Sequence, residues 1–235
     1  MKVLKKTPTE QDAAVVQMCL DPTEVPSESR KGNRYPAYPV YKPSGIYWLP
    51  KVPQNWTVHR LKWSITACEN GAWGEDPDGG QDDVVCLRVA DFNRDKFTVD
   101  NVNLTFRAID ERHRKERGVQ KGDLLIEKSG GGEKQLVGCV VRFDHDFPAV
   151  TSNFVARMPI ADNQCSRYWA YAHAALYMGR LNYPAIKQTT GIQNLDTGEY
   201  LNNKIAYPPL SEQEKIAAFL DWKTAQIDEI LSKKF

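Results

Sequence analysis

Pro208-Pro209-Leu210-Ser211-Glu212-Gln213-Glu214-Lys215-Ile216 is the stretch from which the rest of the chain is best read. Two prolines stop whatever precedes them. Ser211 with Glu214 then has the spacing of a capping box, so a helix is expected from here onward. In a seven-residue frame Ile216, Leu220, Lys223, Ile227 and Ile230 fall on one seam, with Phe219 and Leu231 beside it. At ~1.5 Å per residue such a helix would extend roughly 37 Å. Either it pairs with another helix through the apolar stripe of Ile216, Leu220, Ile227 and Ile230, or it folds back on its own domain. Lys223 at the seam would weaken a simple zipper.

Upstream of this helix the middle of the chain is strand-rich. Val84 to Val89 and Ser152 to Arg157 are short runs of strand type. Leu124-Leu125-Ile126 and Leu136 to Val141 flank a glycine loop, Ser129-Gly130-Gly131-Gly132-Glu133, and are expected to form a hairpin. Residues 163 to about 182 have helical composition. Nearer the N-terminus, Pro36, Pro39, Pro43, Pro50 and Pro53 impose extended chain between turns. The aromatics among them, from Tyr35 to Trp56, suggest a strap packed across the domain. Residues 1–34 read as an N-terminal extension: a short helix starting at Thr7-Pro8-Thr9-Glu10, then a linker rich in Pro, Ser and charge. The expected division is therefore 1–34 extension, 35–207 globular domain and 208–235 helix. The expected fold class is mixed α/β (α+β), a twisted sheet with flanking helices followed by the long C-terminal helix.

The whole chain of 235 residues has 31 basic and 30 acidic side chains, a net charge of +1. A protein that simply coats nucleic acid is usually strongly basic, because phosphate neutralisation supplies most non-specific affinity. Any DNA-binding surface here must be local or completed by a partner. No apolar run approaches the ~20 residues of a membrane span. Five widely spaced cysteines without a C-x-x-C pattern argue against zinc and against a disulfide framework. Reduced thiols in a cytoplasmic protein are the plain reading.

Catalytic signatures are missing. There is no P-loop, no G-x-G-x-x-G, no H-E-x-x-H and no G-x-S-x-G, and no two of the four histidines share metal-ligand spacing. Tyr207-Pro208-Pro209-Leu210 lacks the Asn or Asp that amino-methyltransferases place before their two prolines. Asp221-Trp222-Lys223 is the one D-x-K pattern, and no second acid accompanies it as a metal-dependent nuclease would need. No catalytic residue, metal or cofactor is assigned.

Binding features are stronger. From Asn163 to Leu195 no acidic residue occurs, while Arg167, Arg180, Lys187 and five aromatics do. Lys187, Gln188, Thr189, Thr190, Gln193 and Asn194 combine a cation with amides and hydroxyls, a set suited to a polyanion whose bases are read by bidentate amides. The alternative is a core helix followed by a polar loop. In the glycine loop, Lys128, Ser129, Glu133 and Lys134 offer phosphate contacts and, at Glu133, an acceptor for a cytosine amine; a merely flexible hairpin loop is the other reading. The run Arg107 to Arg117 carries five cations and three acids. It is either a solvated helix face or a source of phosphate contacts through Arg107 or Arg114.

Taken together, these segments resemble a known family. Tyr38-Pro39-Val40-Tyr41-Lys42-Pro43-Ser44-Gly45-Ile46-Tyr47-Trp48-Leu49 followed by Val52-Pro53-Gln54-Asn55-Trp56 resembles the start of the target-recognition domain of type I restriction–modification specificity subunits. Gly122-Asp123-Leu124-Leu125-Ile126 matches that domain's central motif, and Pro208 to Ile216 resembles the entry into the family's long helix. The resemblance runs from about Tyr35 to the C-terminus. It implies a non-catalytic subunit that reads one half of a split double-stranded DNA target. It further implies that the chain holds methyltransferase (modification) subunits through paired helices and is joined for cleavage by a motor–nuclease (restriction) subunit. The usual member has two recognition domains and two helices; this chain has one of each, and is expected to be a half-subunit pairing with a second copy of itself or a piece of a longer chain. The rivals are a methyltransferase or nuclease with unrecognised catalytic residues, and a regulatory module that kept the fold without DNA affinity.

Overall fold

The structure is a computed structural model and describes residues 37–131, 135–188 and 191–233. The expected helix and linker of the N-terminal extension lie outside these residues. So do Glu133, Lys134, Thr189 and Thr190.

The aromatic strap is a two-stranded hairpin, β1 (Tyr41–Ile46) against β2 (Leu49–Pro53), with Pro43 tolerated because no further strand pairs on that side. Strand β3 (Thr57–Arg60) follows and turns into a 3-10 segment, Leu61–Ser64. The next strands are β4 (Glu69–Asn70), β5 (Asp83–Leu87), β6 (Phe92–Asn93), β7 (Thr98–Val99) and β8 (Phe106–Ala108). Helix α1 (Glu111–Arg117) starts at Asp110, whose carboxylate accepts the His113 backbone N–H at 3.0 Å. Strands β9 (Leu124–Glu127), β10 (Ser129–Gly130), β11 (Val140–Arg142), β12 (Ala149–Thr151) and β13 (Val155–Met158) lead to helix α2 (Ser166–Met178). The chain closes with β14 (Ile186–Gln188), β15 (Gln193–Leu195), the short helix α3 (Thr197–Leu201), β16 (Lys204–Tyr207) and α4 (Leu210–Ser232).

The mixed α/β class is therefore observed. A six-stranded sheet in the order β4-β13-β9-β11-β7-β6 forms the centre. The expected hairpin is its middle: β9 runs antiparallel to β11, with Ile126 opposite Val140 and Leu124 opposite Arg142. Leu124, Leu125 and Ile126 are all buried, as are Val140 and Val141, because the sheet is covered on both faces. One face carries Trp169 and Leu176 of α2 with Tyr200 and Tyr207; the other meets Val85, Leu87, Phe143 and Val155.

Two local details explain the motifs. Gly122 sits at φ +96°, where a side chain would be strained, and its carbonyl accepts the Ser166 hydroxyl at the start of α2. Asp123 is buried, accepts the Gln120 N–H at 2.7 Å and pairs with Arg157 of β13 at 2.6 Å. The Gly-Asp pair thus locks the turn into β9 to both neighbours.

The capping box expected at Ser211 is not formed. The helix opens at Leu210 with Pro209 as its cap residue and no side-chain cap bond. Gln213 is instead driven inward: fully buried, it accepts the Cys165 N–H at 3.0 Å and donates to the Pro208 carbonyl at 2.9 Å and to Gln164 at 3.0 Å. Trp169 donates its indole N–H to the same Gln164 oxygen at 2.9 Å. Glu212 reaches the strap, accepting from the Tyr38 hydroxyl and, at 3.3 Å, from Asn55.

Candidate nucleic-acid interface

The glycine loop and the Lys187–Asn194 stretch meet in one small sheet, although they lie about sixty residues apart. Its order is β10-β15-β14, with Ser129 opposite Asn194, Gly130 opposite Gln193, Lys187 opposite Asn194 and Gln188 opposite Gln193. The Ser129 hydroxyl donates to the Asn194 carbonyl oxygen at 2.6 Å, tying the two segments side chain to side chain. Asn194 is exposed, and that bond engages neither its amide hydrogens nor the second lone pair of its oxygen. Gln188 and Ile192 are also exposed.

Gln193 alternates to the opposite face, as strand geometry requires. It is buried, and its side-chain oxygen accepts the Val137 N–H at 3.0 Å. Its position is that of a tether holding the returning strand. Lys187 forms an ion pair with Asp196, whose carboxylate also caps α3 by accepting the Glu199 N–H. That hydrogen bond raises the Lys187 pKa and holds the Asp196 carboxyl below its usual range. Lys128 donates to Asn70 and lines a polar cleft of about 660 Å³ together with Arg117 and Thr197.

Beneath this sheet lies a buried ionic group that sequence reasoning missed. Glu127, the last residue of β9, is wholly buried and pairs with Arg94 at 2.8 Å. Arg94 donates onward to the Tyr177 hydroxyl at 3.1 Å, which donates to the Leu136 carbonyl at 2.8 Å. Burial raises the Glu127 carboxyl pKa, against the opposing pull of Arg94. A Cβ at Gly130 would come within 2.7 Å of a Glu127 oxygen, so the glycine is what lets the loop close over the acid. The only signal in the sequence was a lone acid at the end of an apolar strand.

Arg107 and Arg114 lie elsewhere. Arg107, on β8, stacks over Trp73 with its guanidinium carbon 4.7 Å from the ring centroid, pairs with Asp76 and donates to the Trp73 carbonyl at 3.1 Å. Arg114 pairs with Asp82 and donates to the Ile109 carbonyl at 3.0 Å. Both are spent on pinning the acidic loop between Gly71 and Asp83, Arg107 from β8 and Arg114 from α1. Within α1, Arg112 pairs with Glu116 and Lys115 with Glu111, while Arg117 donates to the Gly71 carbonyl at 2.8 Å.

Of the pairing positions, Ile216 and Leu220 are partly covered by the domain, while Ile227 and Ile230 are 54% and 59% exposed. Trp222 and Leu231 are exposed with them. Asp221 of the D-x-K pattern is occupied by Arg167 at 2.6 Å and the Tyr171 hydroxyl at 2.9 Å. Among the described residues no group of three His, Cys, Asp or Glu could hold a metal ion, and no helix is long and apolar enough to cross a membrane.

No family model and no curated protein matches the sequence. Solved structures do match the fold. The HsdS subunit from Thermoanaerobacter tengcongensis superposes with a TM-score of 0.56 at 17% identity, covering 96% of this chain and 46% of its own. A chain from a study of complex assembly and conformational transition of the type I R-M system gives a TM-score of 0.54 at 18% identity, covering 94% of this chain and 46% of its own. This chain thus spans about half the length of the structures it resembles, and its fold is that of one half of a type I restriction–modification specificity subunit.

Proposed function

We propose that this chain is a non-catalytic, sequence-reading DNA subunit of a type I restriction–modification assembly. The β10-β15-β14 sheet and its adjoining loops read one half of a bipartite duplex target. The exposed far half of α4 pairs with a second copy or a second helix of the same kind, and the paired helices seat methyltransferase subunits, with a motor–nuclease subunit joining for cleavage. The observation that carries this reading is the convergence of Ser129–Gly130, Ile186–Gln188 and Gln193–Leu195 into one small three-stranded sheet on a fold of this kind.

Its chemistry suits base edges. Ser129 and Asn194 present hydroxyl and amide groups on one face, where Lys187 lies opposite Asn194 with its ammonium paired to Asp196; the exposed Gln188, opposite Gln193, adds an amide at the β14 edge. Gln193 contributes by holding the strand rather than by reaching outward. Arg107 and Arg114 are left out of the proposed contacts, because their guanidinium groups already serve the acidic loop.

The test is binding of the full chain to a selected duplex and to a random one. A good bidentate contact discriminates by about 1–3 kcal/mol. Asn194→Ala and Gln188→Ala should therefore weaken binding to the selected duplex about tenfold or more, with little change on random DNA. Equal losses on both would remove the base-reading role.

A further inference from the structure

Among the described residues, one strand ladder sets a cation against a like charge instead of an acid. Arg60 on β3 and Lys204 on β16 are direct register partners across an antiparallel ladder, and both are exposed. Directly opposed residues have Cβ atoms ~5 Å apart, and like charges in that position are destabilising. By contrast Arg88, Arg94, Arg107, Arg114, Arg142, Arg157 and Arg167 each pair with a carboxylate. Arg60 meets only the Asn202 carbonyl oxygen, at 3.2 Å, and among the described residues no carboxylate pairs with Arg60, Lys204 or the exposed Lys62.

The platform under these cations is fixed. The Tyr207 hydroxyl donates to the Arg60 carbonyl at 2.8 Å, and the Leu61 N–H donates to the Asn203 carbonyl at 2.8 Å. Beside them in the chain, His59 and Trp63 stack at 5.7 Å and 23°, with Trp63 63% exposed. An exposed indole in the same short segment as Arg60 and Lys62 offers apolar surface for a sugar ring, in a stretch that also supplies charges for phosphate.

Position relates this edge to the β10-β15-β14 sheet. Helix α3 is capped at one end by Asp196, the partner of Lys187, and closes at the other on Asn202, the partner of Arg60. Five residues of helix span about 7.5 Å. At ~3.4 Å of rise per nucleotide, that is about two phosphates along one strand.

We propose that Arg60, Lys62 and Lys204 form a second DNA contact, one that grips the phosphodiester backbone without reading sequence, next to the sheet that reads bases. The proposal rests on the DNA-binding reading above, and its test keeps the two apart. The full chain carrying Arg60→Gln, Lys62→Gln and Lys204→Gln together is compared with the parent on a selected duplex and on a random-sequence duplex over a range of salt concentrations. Each phosphate contact contributes about 0.9 to the slope of log affinity against log salt. The triple variant should lose about 2–3 from that slope on both duplexes and bind both at least tenfold more weakly at low salt. The preference between the duplexes should stay unchanged.

Unchanged slopes and affinities overturn the grip, and if the parent still prefers the selected duplex the base-reading sheet survives alone. A parent that shows no sequence preference, but whose slope falls in the triple variant, supports the grip and sinks base reading. Failure of the parent to bind either duplex overturns both. Thermal unfolding guards the result: removing opposed like charges should leave the midpoint the same or higher, and Arg60→Lys should keep most of the slope.

Discussion

Between Leu210 and Asp221 the terminal helix is held by the domain, with Gln213 and Ala217 fully buried and Asp221 bonded to Arg167 and Tyr171 of α2. Between Trp222 and Ser232 the same heptad spacing continues, yet Trp222, Ile227, Ile230 and Leu231 face solvent. One periodicity therefore serves two surroundings. In the first half polar tethers act alongside apolar burial; in the second an apolar stripe lies bare over about 16 Å of helix, which is what the proposed pairing requires.

Substitutions can sharpen this contrast. The largest loss is expected at Trp169, beneath the docked half: Trp169→Ala empties a fully buried site and should cost about 3–5 kcal/mol in denaturant unfolding. Gln213→Ala comes next. It leaves the Cys165 N–H and the Pro208 carbonyl without their partner and should cost about 2–3 kcal/mol. A loss below 0.5 kcal/mol would mean the tether is incidental.

Acid should act on the docked region through His173 of α2. This ring is fully buried, bonded to the Tyr200 hydroxyl at 2.7 Å, and burial pushes its pKa down to about 3. The unfolded chain takes up a proton near pH 6.5 and the folded one does not. Stability contributed by the neutral ring is thus complete above about pH 6.5. It is lost on acidification at about 1.4 kcal/mol per pH unit until about pH 3. His173→Gln should flatten the profile in that window; an identical slope in the variant would show that other groups set it.

The smallest effect on domain stability, within about 0.5 kcal/mol, is expected from Ile227→Asp on the bare half. Its effect on association should be large: light scattering should find the parent chain as a dimer and the variant as a monomer. A variant of unchanged mass would break the contrast, since the exposed stripe would then have no role in pairing.

Much of the architecture could be read from local pattern. The β9–β11 hairpin and the helices at Ser166–Met178 and Leu210–Ser232 follow from apolar runs and punctuation. What could not be read depended on long-range registration. Nothing local to Ser129 or Asn194 says that they hydrogen-bond, and nothing local to Arg107 or Arg114 says that Asp76 and Asp82 will meet them. Ser211 misled for a related reason. A capping box is a local device, whereas this helix starts at Leu210 and its first turn is tied by the buried Gln213 to Cys165, a partner distant in sequence. Gln193 shows the same limit: its type suits base reading, and only the strand's alternation reveals that it faces inward.

The most direct test of the central claim is selection from randomised duplexes by the full chain, alone and together with a methyltransferase subunit of its system. One short motif repeated with two-fold symmetry across a fixed gap should be enriched, and Asn194→Ala should abolish that enrichment. No enriched sequence in either case, or enrichment indifferent to Asn194 and Gln188, would contradict it.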